Sequence, residues 1–250
     1  MSPRYTTLMA SLPPLGGLFE AREPAISRLK LQSRLSLLHP DDRCSLDGAI
    51  AILSQGLLES GDASAAASTG TSGGPSGGAA GGRDAQLLAD AQRFFREVRN
   101  PLLQRLVAHR LDLRTIVAAL RRRQRGEGEP PRGQAWGFGA LVPTIERHWS
   151  EPTLGLGGLF PWIGEAGRLL ESHDLIALER LLFTLIWREL DRLGQGHNFD
   201  FEAVVIYLAR WSLVERWSNY DAGAAALRFR QLVNGGLGRF SDTLAVCAAR

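Results

Sequence analysis

The sequence predicts an all-α protein: an irregular multi-helix bundle with a short extended segment at its N-terminus. Apolar residues recur at a period near 3.6 in most long segments, with polar residues opposite them. Residues suited to capping stand just ahead of those segments. No alternation of strand-like and helix-like stretches appears anywhere along the 250 residues.

Taken in order, "RYTTLMASLP" is β-branched and runs into prolines, which suggests an extended start. "AISRLKLQSRLSLL" sets Ile26, Leu29, Leu31, Leu35 and Leu38 at helical spacing, and "SLDGAIAILSQGLL" reads as a second helix weakened by Gly48. Residues 60–84 are Gly, Ser and Ala with almost no charge or bulk, too little to offset the entropy of ordering a backbone. They read as a flexible insertion between an N-terminal part, 1–59, and a main helical part, 85–250. A division into two domains is the alternative, but the first piece carries few large apolar side chains. Long loops also cost little to close.

Beyond that stretch, Leu87, Leu88, Ala91, Phe94, Phe95 and Val98 form one stripe, with Asp90, Arg93 and Glu97 outside it. Asn100 and Pro101 suit the N-cap and first position of a long helix carrying Leu103, Leu106, Val107, Leu111, Val117 and Leu120. Residues 126–162 are irregular, apart from a short helix near Ile145. Asp174 caps a helix whose core face is Leu175, Leu178, Leu182, Ile186 and Leu193, opposite Arg180, Thr184, Arg188 and Asp191. Asp200 caps the next, which is apolar over most of its circumference. Ala203, Val204, Tyr207, Trp211 and Val214 share one face, Ile206, Leu208, Leu213 and Trp217 fill the flanks, and Ser212, Glu215, Arg216 and Asn219 form a narrow polar stripe. Asp221 caps a final helix that ends at Asn234.

Composition narrows the function. The chain is 44% hydrophobic with net charge +3, mean hydropathy -0.08 and pI about 9.3, all ordinary for a folded protein. Lys30 is the only lysine, and no basic stretch is interleaved with aromatics, which argues against nucleic acid as a partner. Cys44 and Cys247 stand alone and support neither a disulfide framework nor a zinc knuckle. The N-terminus lacks a basic region followed by an apolar run, so it is not read as a signal peptide. No run of roughly 18 to 20 apolar residues would span a bilayer.

Catalytic signatures are missing. The five histidines (39, 109, 148, 173 and 197) show no HExxH and no pair four apart, so no metal site is expected. "GLGGLFPW" at 155–162 lacks the GK[ST] ending of a phosphate loop, and no G-x-S-x-G occurs. Glu179, Glu189 and Asp191 read as helix-surface charges. His197 sits in a Gly-flanked turn ahead of a helix, where a hydrogen bond to backbone is the ordinary expectation. The densest charge, Arg121, Arg122, Arg123 and Arg125, lies at a helix C-terminus, where the dipole favours cations. Its functional reading is docking of an acidic partner or an anionic lipid. The residues alone therefore indicate a helical interaction protein, with no enzyme activity and no cofactor.

Two stretches sharpen this. "LDLRTIVAALRRRQRG" resembles the helix motif of the central-stalk socket component of V/A-type ATPases, known as the d subunit in eukaryotic pumps. "GHNFDFEAVVIYLARWSLVERW" and "YTTLMASLPPL" are similar to an uncharacterised bacterial family encoded beside such ATPases and taken to stand in for that socket. The resemblance implies an all-helical socket that receives the central axle, sits on the membrane rotor ring, and passes torque without binding nucleotide. It implies a cytoplasmic place, peripheral to the membrane through partner subunits. Thr115 stands where the motif often has Asn, the chain is shorter than the three-repeat archaeal type, and the Gly/Ser-rich stretch is unusual. An independent helical adaptor using the Arg cluster is the alternative.

Overall fold

A computed structural model describes residues 5–21, 23–54, 77–130 and 136–219, and for 77–84 the backbone alone. Among the described residues all regular structure is helical. The helices are α1 (Thr6–Ser11), α2 (Arg28–Leu35), α3 (Pro40–Leu53), α4 (Gly77–Glu97), α5 (Pro101–Gln124), α6 (Val142–Arg147), α7 (Ile163–Glu171) and α8 (Leu175–Leu193), followed by α9 over 201–219.

The centre of the bundle is α5, against which α3, α6, α7 and α8 pack. Leu103, Val107, Ile116, Val117 and Ala119 are fully enclosed on it. Its start follows from local chemistry. The Asn100 side-chain oxygen accepts from the Leu103 amide at 3.0 Å, and Pro101 fills a position whose missing N–H removes no helical bond. The expected caps of α8 and α9 also hold: Asp174 accepts from the Ala177 amide at 2.9 Å and Asp200 from the Ala203 amide at 3.0 Å.

Segments on either side of the Gly/Ser/Ala-rich stretch share one core, from Leu8 on α1 to Leu213 on α9. Polar bonds stitch the N-terminal part to α9 and the turn before it as well. Trp211 Nε1 donates to the Ile26 carbonyl at 2.8 Å, Tyr207 Oη to the Pro13 carbonyl at 2.8 Å, and the Tyr5 amide to the Phe199 carbonyl at 2.5 Å.

Several expectations need correction. Thr6–Ser11 is a helix and not an extended segment. It has no side-chain cap, and burial of Leu8 against the core outweighs the β-branched preference of Thr6 and Thr7. Residues 163–171, to which the sequence assigned no element, form α7: Gly164 and Gly167 weaken the local signal, but Ile163, Ala166 and Leu170 are buried. Leu29 and Leu175 point outward, 80% and 47% exposed, although the other residues of their expected faces are buried. Helix α4 begins at Gly77, so the last eight residues of the 60–84 stretch are helical. Residues 60–76 lie outside the described residues, as do Asp221, the final helix and Cys247.

Gly155 shows why the 155–162 stretch is glycine-rich. Its φ is +70°, and a Cβ there would come within 2.7 Å of the His148 ring. Gly155 serves backbone geometry.

Candidate functional site

Helix α8 ends at Gly194, and the chain turns through Gly196, at φ +87°, before α9 begins. That turn lifts His197 over the first residues of α9. Its Nδ1 lies 2.6 Å from Asp200 Oδ2. The expected partner was backbone; the observed one is the carboxylate that caps α9, because one residue serves both roles with its two oxygens. Burial works to raise the Asp200 carboxyl. The bond with His197, the Ala203 amide and the imidazole charge outweigh it, so the group sits below the ordinary carboxylate range.

Glu202 joins them. One ligating atom from each of His197, Asp200 and Glu202 lies within 4.8 Å of the others, and all three residues are half-buried. Glu202 Oε1 accepts from Asn100 Nδ2 at 2.9 Å, so the cluster is tied to the cap of α5. The sequence reading missed this group because it sought histidine pairs one helical turn apart. The signal was His-x-x-Asp-x-Glu across a helix start. Beside the cluster lies a cavity of about 420 Å³ whose wall includes His197, Asn198, Pro13, Pro14, Tyr207 and Arg210. The Arg210 guanidinium closes one side, donating to Asp191 at 2.5 Å over the Trp187 ring.

The arginine cluster is split by the fold. Arg121 is buried at 9% exposure. Arg122 lies over the Trp136 ring, 5.8 Å from its centroid. Arg123 donates to the carbonyls of Glu151 and Pro152. Arg125 pairs with Glu127 at 2.6 Å. Arg122, Arg123 and Arg125 therefore tie the end of α5 to the chain around it. Glu179, expected on the surface, is 8% exposed and meets Arg216 of α9 at 3.2 Å.

Two further half-buried ionisable groups lie on α5. Burial pushes Asp112 up to about 6. Burial also lowers His109, against the pull of Glu189, and its Nδ1 has no hydrogen-bond partner. Thr115 is 2% exposed and accepts from the Phe138 amide at 2.9 Å, which fixes the loop after α5.

No curated protein and no solved structure matches the chain significantly. A family model described as "Protein of unknown function (DUF2764)" matches residues 83–235, more than half of the sequence, and the chain belongs to that family.

Proposed function

We propose that this protein is a non-catalytic subunit of a V/A-type rotary ATPase, placed in the central stalk between the axle and the membrane rotor ring. The observation that carries the reading is where the stretch resembling the stalk socket falls. Residues 111–126 form the C-terminal half of α5 and the turn after it, the centre of an all-helical bundle. Leu111, Leu113, Ile116, Val117, Ala119 and Leu120 are all buried there, so the resemblance lies in the scaffold and not in a surface accident.

Among the described residues no helix is long and apolar enough to cross a membrane. The resemblance implies a peripheral place on the cytoplasmic side, held by partner subunits. The adaptor reading relies on Arg121, Arg122, Arg123 and Arg125, and their engagement with the chain's own loops weighs against it.

Affinity isolation of the tagged chain from native membranes in mild detergent tests the proposal. Stalk and ring subunits are expected to accompany it through a moderate salt wash, as befits a shape-matched apolar contact. An Arg-held adaptor would wash off, since exposed charges are screened within about 8 Å at physiological salt. Purified alone, the chain is expected to hydrolyse no nucleotide. An ATPase fully assembled without this chain would overturn the reading.

A further inference from the structure

We propose that His197, Asp200 and Glu202 form a binding site for a divalent transition-metal cation of the Zn²⁺ type, a site independent of the ATPase reading. The three side chains offer one imidazole nitrogen and two carboxylates from one turn and the first turn of α9, with their ligating atoms within 4.8 Å of one another. A mixed nitrogen and oxygen set of this kind suits Zn²⁺ better than Mg²⁺ or Ca²⁺, which favour all-oxygen shells.

A second observation comes from donors outside the cluster. The Ala203 amide holds Asp200 Oδ1 at 3.0 Å, and Asn100 Nδ2 holds Glu202 Oε1 at 2.9 Å. Each carboxylate is thus anchored through one oxygen by a neighbour that is not a ligand; the other oxygen of Asp200 meets His197 and would have to exchange that contact for one to the ion. Outer partners of this sort orient the ligands in metal sites. An ion at about 2.1 Å from each ligand needs donor atoms roughly 3.4 Å apart. The 2.6 Å His197–Asp200 contact must open a little and the longest separation must close. His197 and Asp200 keep 33% and 29% of their side-chain surface exposed, which leaves them room to turn. Three protein ligands leave at least one coordination position open, and His197 also lines the 420 Å³ cavity, which supplies both the entry path and that vacant direction. The ion would join the caps of α5 and α9 through Asn100, tightening the junction where the N-terminal part meets α9.

The test is calorimetric titration of the metal-free full chain with Zn²⁺, alongside melting temperature with and without the ion. One site is expected in the wild type, with a rise in melting temperature that Mg²⁺ does not reproduce. His197→Gln and Glu202→Gln should each weaken Zn²⁺ binding at least tenfold. The glutamine at 202 can still accept from Asn100, so that variant should fold as the parent does. Two other histidine–carboxylate pairs, His39–Asp41 and His148–Glu151, are separate surface pairs, so His148→Gln serves as the control and should leave binding unchanged. Absence of a Zn²⁺ effect in the wild type, or an effect undiminished in both His197→Gln and Glu202→Gln, would overturn the site. With Co²⁺ as the probe, visible absorption that is lost in His197→Gln would place the imidazole on the ion.

Discussion

Glu179 and Trp211 show how differently two side chains near α9 are held. Trp211 is 6% exposed and its indole nitrogen bonds the Ile26 carbonyl. Trp211→Ala should cost about 3 to 5 kcal/mol, since it leaves both a cavity and an unpaired carbonyl. Arg216 looks dispensable on a polar stripe, yet it neutralises the nearly enclosed Glu179 and lies over the Phe183 ring. Removing one partner of a buried pair strands the other charge. Arg216→Ala should therefore cost about 2 to 3 kcal/mol, more than the under 1 kcal/mol typical of surface changes, and urea unfolding of both variants checks this. Asp112 gives a pH signature. Its folded pKa of about 6 lies above its ordinary value of 3.8. Between those two values the folded state keeps a proton that the unfolded state has lost, so stability from this group falls as pH rises and stays low above about 6. Asp112→Asn should raise the melting temperature at pH 7.5 and leave it unchanged near pH 3.5. A gain of equal size at both pH values would mean that burial of the charge is not the cause.

At the level of whole helices, what could be read from sequence was whatever depends on neighbours along the chain. Asn100, Asp174 and Asp200 were legible as caps because a cap needs only a short polar side chain and an amide three residues on. The buried faces of α5 and α9 were legible because each is long enough to show its period. Helix α1 was not, since its six residues are held by contacts from distant segments, among them the Tyr5 amide on the Phe199 carbonyl. Nor was the meeting of His197 with Glu202, which requires knowing how α9 begins, or the bond from Asn100 to Glu202 across 102 residues. That bond makes a measurable difference. Asp caps a helix about as well as Asn, so Asn100→Asp keeps the Leu103 amide satisfied while setting a second carboxylate against Glu202. The variant should be destabilised by about 1 to 2 kcal/mol at pH 7 and much less near pH 4, where carboxylates protonate. Thermal melts at the two pH values separate the lost bond from a lost cap, which would cost the same at both.

Across the whole molecule, the Gly/Ser/Ala-rich stretch divides the sequence but not the core. Leu31, Leu35, Leu46 and Ile52 from before it lie in the same buried cluster as Leu103, Leu106, Val205 and Trp211 from after it, and α3 packs on both α4 and α5. A chain built this way has to close a loop from α3 to α4, and the length of that loop enters its stability only weakly, roughly 0.6 kcal/mol for each doubling. Composition points the same way, because residues 60–76 contain no large apolar side chain to place in a core. Replacing 60–76 with an eight-residue Gly/Ser linker should therefore shift the melting temperature by only a degree or two, leave a single cooperative transition, and give the same helical circular dichroism signal. Separate expression of 1–59 and 85–250 makes the complementary measurement. Each piece would expose the part of the shared cluster that the other covers, so neither should fold cooperatively alone, and mixing them should restore structure in part. A cooperative melt of 85–250 by itself would mean that the N-terminal part is an accessory packed onto a self-sufficient bundle, and a loss of many degrees on shortening the loop would mean that residues 60–76 make contacts their composition does not predict.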